Sequence, residues 1–205
     1  MNRKKIKNVV FDIGNVLLSW KPEEIFGRIT RKKDFESHPL RHLIGGEVWM
    51  QLDRGVISKD EAVEKLAGGF PSEKNLIADF MDAIPYNVNP IDEGISCAEE
   101  CRDLGLKILL LSNFPEYAYK KVTDLHPFFG IFDGGIISFQ VKKIKPEPGI
   151  YEDLIRKYGI IPGETLFLDD MEENISGAQS LGITGLHITD TGKIRDEVRR
   201  ILERN

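Results

Sequence analysis

The stretch Val9-Val10-Phe11-Asp12-Ile13-Gly14-Asn15 sets a short apolar run directly against a carboxylate, a glycine and an amide. Four similar runs lie downstream: Lys107-Ile108-Leu109-Leu110-Leu111, Gly135-Ile136-Ile137-Ser138-Phe139, Thr165-Leu166-Phe167-Leu168 and Thr184-Gly185-Leu186-His187-Ile188. Continuous rather than alternating apolar character suits strands covered on both faces, as in a parallel sheet. Helical patterns lie between the runs. Ile91 to Leu104 stops at Gly105, Pro148 to Tyr158 at Gly159, and Asn174 to Leu181 at Gly182. A proline near the start and a glycine just past the end are helix boundary signals. Strand and helix in alternation predict an α/β fold with a doubly wound parallel sheet.

One interval breaks the alternation. From Lys21 to about Asn89 there is no strong strand pattern, and the segment reads as several helices. Glu47 to Leu52 and Lys59 to Leu66 are the clearest, the second opened by Ser58 with Glu61 three residues on, a capping box. A parallel crossover rarely needs about seventy residues, so this is an inserted helical subdomain. The expected division is a core of residues 1–18 and 90–205 and an insert of residues 19–89.

The chain has 205 residues and a formal net charge of -5, and it is 41% hydrophobic and 30% charged. That balance describes a globular protein and excludes general disorder. An acidic chain is also not expected to bind nucleic acid, which calls for a basic face. Cys97 and Cys101 are too few for a disulfide framework; four apart in a helix, they read as small apolar residues. The basic start Met1 to Lys7 resembles a leader, but Asp12 interrupts the following apolar run and no cleavage site follows. Leu125 to Val141 carries Asp133, Pro127 and three glycines, so it is not expected to span a membrane. A cytoplasmic location is the expectation.

In an open α/β sheet, ligands bind beyond the carboxyl ends of the strands. The residues there are Asp12-Ile13-Gly14-Asn15, Ser112-Asn113 and Asp169-Asp170, with Lys142-Lys143-Ile144-Lys145-Pro146 between the third and fourth runs. Three carboxylates, a hydroxyl and a lysine would thus meet at one edge. Mg²⁺ takes a few carboxylate oxygens, waters and a substrate phosphate. Phosphoryl transfer needs that metal plus a cation and a hydroxyl on the equatorial oxygens. A strand-end carboxylate can then attack phosphorus. Taken singly, each residue has a plainer reading: a turn-forming Asp, a capping Ser or a surface Lys. Taken together, in this order and all at strand ends, they point to a phosphate and magnesium site.

At these residues the chain resembles the haloacid dehalogenase superfamily, along essentially its whole length. The motifs are Val9-Val10-Phe11-Asp12-Ile13-Gly14-Asn15, Ile108-Leu109-Leu110-Leu111-Ser112-Asn113, Lys145-Pro146-Glu147-Pro148 and Phe167-Leu168-Asp169-Asp170, the last running on through Asn174. The resemblance implies the superfamily's Rossmann-like core with a helical cap after the first motif. Within that cap, Gly46-Glu47 and Arg54-Gly55-Val56-Ile57-Ser58 are similar to bacterial α-D-glucose-1-phosphate phosphatase-like proteins. The phosphatase domain of soluble epoxide hydrolase looks more distant.

The resemblance implies roles as well. Asp12 is the nucleophile and a Mg²⁺ ligand, Gly14 lends the metal its backbone carbonyl, and Asp170 is a further ligand. Ser112 and the Asn113 amide hold the phosphoryl group, while Lys145 neutralises charge between it and Asp12, with Lys142 as fallback. Asp169 and Asn174 support the metal from behind, through water. One position departs from the pattern. Most phosphatases of the superfamily carry a second Asp two residues after the nucleophile as general acid and base, and here Gly14 stands there. Losing such a group costs about 10² to 10⁴-fold for a leaving group that needs a proton.

The expected function is a Mg²⁺-dependent phosphomonoesterase acting on a small phosphorylated metabolite, a sugar phosphate such as glucose 1-phosphate, whose anomeric oxygen leaves more readily. The alternatives are a phosphate-binding or regulatory protein with little turnover, and a 2-haloacid dehalogenase. The dehalogenase works without metal, so the acidic pair counts against it. Trp20, Trp49, His42 and Glu47 are the cap residues proposed to face the site, although Trp49 and Met50 read equally well as cap core. His38, His126 and His187 have no ligand spacing and are expected to be structural or exposed. The final helix, Lys193 to Glu203, alternates charge like a solvated face. Oligomeric state has no signature in the sequence.

Overall fold

The computed structural model describes residues 5–203, so most of the basic start, Met1 to Lys4, lies outside the described residues. After β1 (Asn8–Phe11) come α1 (Pro22–Thr30), α2 (Pro39–Leu43), α3 (Glu47–Asp53), α4 (Lys59–Ala67) and α5 (Lys74–Asn87). Strand and helix then alternate through α6 (Asp92–Asp103), β2 (Lys107–Ser112), α7 (Glu116–Leu125), β3 (Gly135–Ile137), α8 (Ser138–Val141), α9 (Pro148–Tyr158) and β4 (Thr165–Asp169). The chain closes with α10 (Glu172–Ser180), β5 (Thr184–His187) and α11 (Ile194–Glu203).

The five strands pair in parallel in the order β3-β2-β1-β4-β5. The order reverses beside β1, so the crevice where ligands settle opens at the ends of β1 and β4. Successive side chains point to opposite faces. Val9, Phe11, Ile108, Leu110, Leu166 and Leu168 pack with α6 and α11. Val10, Leu109, Leu111 and Phe167 pack with Ile150 and Leu154 of α9 and Ile175 and Ala178 of α10. Both faces are covered, which is why the runs are apolar throughout.

Three expectations are corrected. The third run ends as a strand at Ile137. Ser138 turns the chain into α8 because its buried hydroxyl accepts from Phe114 N at 3.0 Å and donates to the Asp53 carbonyl. The helix placed at Asn174 starts at Glu172, putting two carboxylates in its first turn, where they complement the helix dipole. Finally, α11 is no simple solvated face. Ile194 and Val198 are buried against the core, and Arg199 reaches Glu100 of α6 at 2.6 Å through two nitrogens.

The helices between β1 and α6 share a cluster of their own, including Phe26, Phe35, Trp49, Leu52, Leu66, Phe80 and Met81, joined by Ala118 of α7. Ser58 caps α4 as expected, accepting from Glu61 N while Glu61 accepts from Ser58 N at 2.8 Å. Cys97 and Cys101 lie on the buried face of α6 as free thiols. That helix lies against the loop after β1 so closely that a Cβ on Gly94 would sit 1.9 Å from the Val16 carbonyl oxygen. No helix among the described residues is long and apolar enough to cross a membrane.

Candidate active site

The ends of β1, β2 and β4, the loop before α9, and α3 and α5 enclose a cavity of about 260 Å³. Asp12, Gly14, Ser112, Asn113, Lys145, Asp170 and Asn174 all line it, so four loops distant in sequence are brought together. Asp12 is 6% exposed and Lys145 3%.

Lys145 holds the centre. Its Nζ lies 2.8 Å from Asp12 Oδ1 and 2.6 Å from Asp169 Oδ2. Burial alone would lower its affinity for a proton, but the two carboxylates outweigh that and hold the ammonium above the usual lysine range. Asp12 Oδ1 also accepts from Ile13 N at 2.7 Å, whereas Oδ2 has no hydrogen-bond partner among the described residues. Burial, together with the carboxylates of Asp169 and Asp170, pushes the Asp12 carboxyl up to about 7 against the pull of Lys145.

The two members of the acidic pair differ. Asp169 is fully buried and saturated: besides Lys145 it accepts from Met171 N at 2.8 Å and from Asn174 Nδ2 at 3.0 and 3.2 Å. Asp170 is half-buried, and its Oδ2 accepts from Asn15 Nδ2 at 2.9 Å. Burial raises it above the usual carboxylate range, Asn15 opposing and Asp169 adding to the rise. Asp12, Asp169 and Asp170 each bring an oxygen within 4.8 Å of the others. Three carboxylates against one ammonium leave excess negative charge in a poorly hydrated place. An all-oxygen donor set of this kind fits a hard divalent cation.

Ser112 is buried, and its hydroxyl has no hydrogen-bond partner among the described residues. The Asn113 side chain is engaged elsewhere, because its Oδ1 accepts from Lys145 N at 2.8 Å and its Nδ2 donates to Lys145 O at 3.0 Å. That clamp fixes the lysine backbone and leaves only the backbone N–H of Asn113 for a ligand. Lys142, the fallback, is away from the cavity: it has φ +58° and donates to the Gly55 carbonyl. At Gly14 an added Cβ would meet nothing within 4 Å, so the missing carboxylate's place is open space.

Of the four cap candidates, Trp20 and Trp49 line the cavity, with ring centroids 6.1 Å apart, and Trp49 is also buried in the helical cluster. His42 and Glu47 are exposed and do not line it, a correction. His38 caps α2 and packs on Phe26. His187 is 3.0 Å from the Asp170 carbonyl oxygen and so steadies the acidic pair.

The sequence matches the haloacid dehalogenase-like hydrolases over residues 6–182. This chain belongs to that family. Among curated relatives of this hydrolase is a sesquiterpene phosphatase of Aspergillus oryzae, 28% identical over 96% of both chains. Another is a D-ribitol-5-phosphate phosphatase of Bacteroides thetaiotaomicron, 26% identical over 96% of this chain and 98% of the other. A haloacid dehalogenase-family enzyme of B. thetaiotaomicron superposes with TM-score 0.76 at 25% identity, covering 96% of this chain and all of the other. The same enzyme in complex with magnesium and inorganic phosphate has TM-score 0.74 at 24% identity, covering 94% and 98%.

Asn15 and Asp53 carry no role from the sequence, and His187, expected to be structural or exposed, takes a structural place beside the acidic pair. Asn15 sits at φ +50°, which asparagine tolerates better than most residues. Its side chain joins Asp170 to the start of the helical segment, accepting from Trp20 N at 2.8 Å. His187 pairs with Asp169 across β4 and β5, a register no local pattern reveals. Asp53 enters the cavity from α3, one turn after Trp49. The spacing Trp49-x-x-x-Asp53 was the available signal, since it puts both on one helix face.

Proposed function

We propose that this hydrolase is a Mg²⁺-dependent phosphomonoesterase that acts through an aspartyl-phosphate on Asp12, with a small phosphorylated metabolite as substrate. The observation that carries the reading is the Asp12 carboxylate, held at one oxygen by Lys145 and Ile13 N while the other has no partner among the described residues. The free oxygen attacks phosphorus, and the ester oxygen departs on the opposite side. Ser112, the Asn113 N–H and Lys145 hold the phosphoryl oxygens. Asp12, Asp170 and the Gly14 carbonyl would hold Mg²⁺, which when bound neutralises charge developing on the phosphoryl group. Asp169 and Asn174 fix Lys145 and the turn into α10.

Residues 19–89 act as a cap over a core of residues 1–18 and 90–205, and Trp20 and Trp49 meet the leaving group. A cavity of about 260 Å³ lies at the small end for ligand sites, which favours a small substrate. Within that class the resemblance to glucose-1-phosphate phosphatases favours a sugar phosphate such as glucose 1-phosphate. One observation favours a less polar leaving group instead: the wall of Leu18, Trp20, Trp49, Ile84, Val88 and Phe114. The same reading takes the cytoplasm as compartment, since two free cysteines suit a reducing environment, with neither nucleic acid nor membrane as partner.

The test is phosphate release from glucose 1-phosphate, ribitol 5-phosphate and an isoprenoid monophosphate, with Mg²⁺ and with EDTA. Release that EDTA abolishes is the expected result, and the preferred ester decides between the two leaving groups. Silence from folded protein that still binds phosphate would overturn the enzyme reading in favour of a binding protein, and halide release from 2-haloacids in EDTA would favour a dehalogenase. A second expectation concerns Asp170→Asn. Losing a group that merely supports a metal ligand costs about 10- to 100-fold in metal affinity, and a ligand should cost no less. The Mg²⁺ concentration for half-maximal activity should rise accordingly; an unchanged titration would remove Asp170 from the metal site.

A further inference from the structure

We propose that Asp53, contributed by α3, is the general acid and base of the reaction, taking the place of the carboxylate missing at Gly14. The inference rests on the phosphatase reading and adds a residue to it.

Asp53 shares the cavity wall with Asp12, Ser112 and Lys145. It enters from the helical side, where the phosphatase reading puts the leaving group. Its carboxyl makes no hydrogen bond or ion pair among the described residues, unlike those of Asp12, Asp169 and Asp170. The chain beneath it is fastened to the core at three successive residues, through two carbonyls and the Arg54 side chain. The Asp53 carbonyl accepts from Ser138 Oγ. Arg54 clamps Glu147 through two nitrogens at 2.6 and 2.8 Å. The Gly55 carbonyl accepts from Lys142 Nζ, and a Cβ on Gly55 would meet Phe139 Cβ at 2.7 Å. A free carboxyl on a locked backbone, in a site otherwise lacking an acid, is the geometry of a positioned proton donor.

The local electrostatics agree. Desolvation pushes the Asp53 carboxyl up to about 7, with Lys145 opposing. The other groups facing it are Asp12 and Asp170 across the cavity and Tyr117 of α7, whose phenol burial and Asp53 push up. Arg54 is turned away to Glu147. Asp53 therefore holds a proton near neutrality and can release it.

The steps balance. Asp12 Oδ2 bonds to phosphorus as the ester P–O bond breaks, and the Asp53 proton passes to the departing oxygen, giving an alcohol and the Asp53 carboxylate. That carboxylate then takes a proton from the water attacking the aspartyl-phosphate. Inorganic phosphate leaves, and Asp12 and protonated Asp53 are restored.

The experiment compares rapid-mixing bursts of Asp53→Asn and wild type with nitrophenyl phosphate, whose leaving group needs no proton, and with an alkyl phosphate. The expected burst rate falls about 10² to 10⁴-fold with the alkyl ester and less than about threefold with the nitrophenyl ester. Adding Gly14→Asp to Asp53→Asn should recover part of the alkyl rate, since position 14 has room. Equal loss on both esters, or no loss on either, would overturn the proposal while the wild-type, EDTA-sensitive activity left the phosphatase reading standing. A second readout needs no activity. A carboxyl raised from 3.8 to about 7 by folding makes the native state less stable as pH climbs between those values. Asp53→Asn should then melt several degrees above wild type at pH 8 in EDTA and level with it at pH 4; equal melting at both would show that Asp53 is not held protonated.

Discussion

Asp12→Asn is expected to abolish turnover, a fall on the order of 10⁴ to 10⁶-fold in kcat, the range seen when one member of an assembled catalytic unit is removed. The amide keeps the shape of the carboxyl and can still accept from Ile13 N. It cannot form the phosphoryl intermediate. Folding should not suffer, because Lys145 retains Asp169 at 2.6 Å and the variant removes one of three crowded carboxylates. A melting temperature equal to or above wild type, with no hydroxylamine-sensitive phosphate on the acid-quenched protein after mixing with substrate, is the full expected result. Measurable turnover by the folded variant would sink the nucleophile assignment.

Lys145→Met should be costly in both respects. The side chain is 3% exposed and its ammonium is the one cation within 3 Å of Asp12 and Asp169 among the described residues. Removing one partner from a buried ion pair typically costs about 3–5 kcal/mol, because the other charge is left unpaired. In a chain of this size that corresponds to a fall in melting temperature of about 10 °C. Activity should fall by at least about 10² to 10³-fold, the usual loss when an electrostatic contact to the transition state is removed. Thermal denaturation and steady-state kinetics on the same preparation check both. A variant as stable as wild type would mean that Asp12 and Asp169 do not depend on Lys145.

The sheet was legible because burial on both faces leaves a chemical trace. Strands such as Leu166-Phe167-Leu168 cannot carry a polar residue on either side, so they read as apolar runs whatever their neighbours. The strand-end carboxylates were legible for a related reason, since Asp12 and Asp169 each follow such a run directly. Where the reading strayed, a distant contact had intervened. Ser138-Phe139 continued an apolar run, yet Phe114 and Asp53 draw Ser138 out of the strand. Local pattern does not contain Phe114.

The alternating strands and helices, the helical stretch after Asp12 and the position of Asp12, Ser112 and the Asp169-Asp170 pair at strand ends were determined by the sequence alone, because they depend on hydrophobic period or on adjacency to a run, properties of neighbouring residues. Singling out Lys145 and Asp170 rested on the family resemblance as well. Only the tertiary structure decided that Asn113 spends its side chain clamping Lys145, that Lys142 reaches Gly55 instead of the cavity, and that His187 touches the Asp170 carbonyl. It alone brought Asp53 to the cavity wall. The orientation of α3 over the core is set by Ser138, Glu147 and Lys142, between 85 and 93 residues further along the chain. Such contacts come from packing energy summed over both units, and no window of sequence carries that sum.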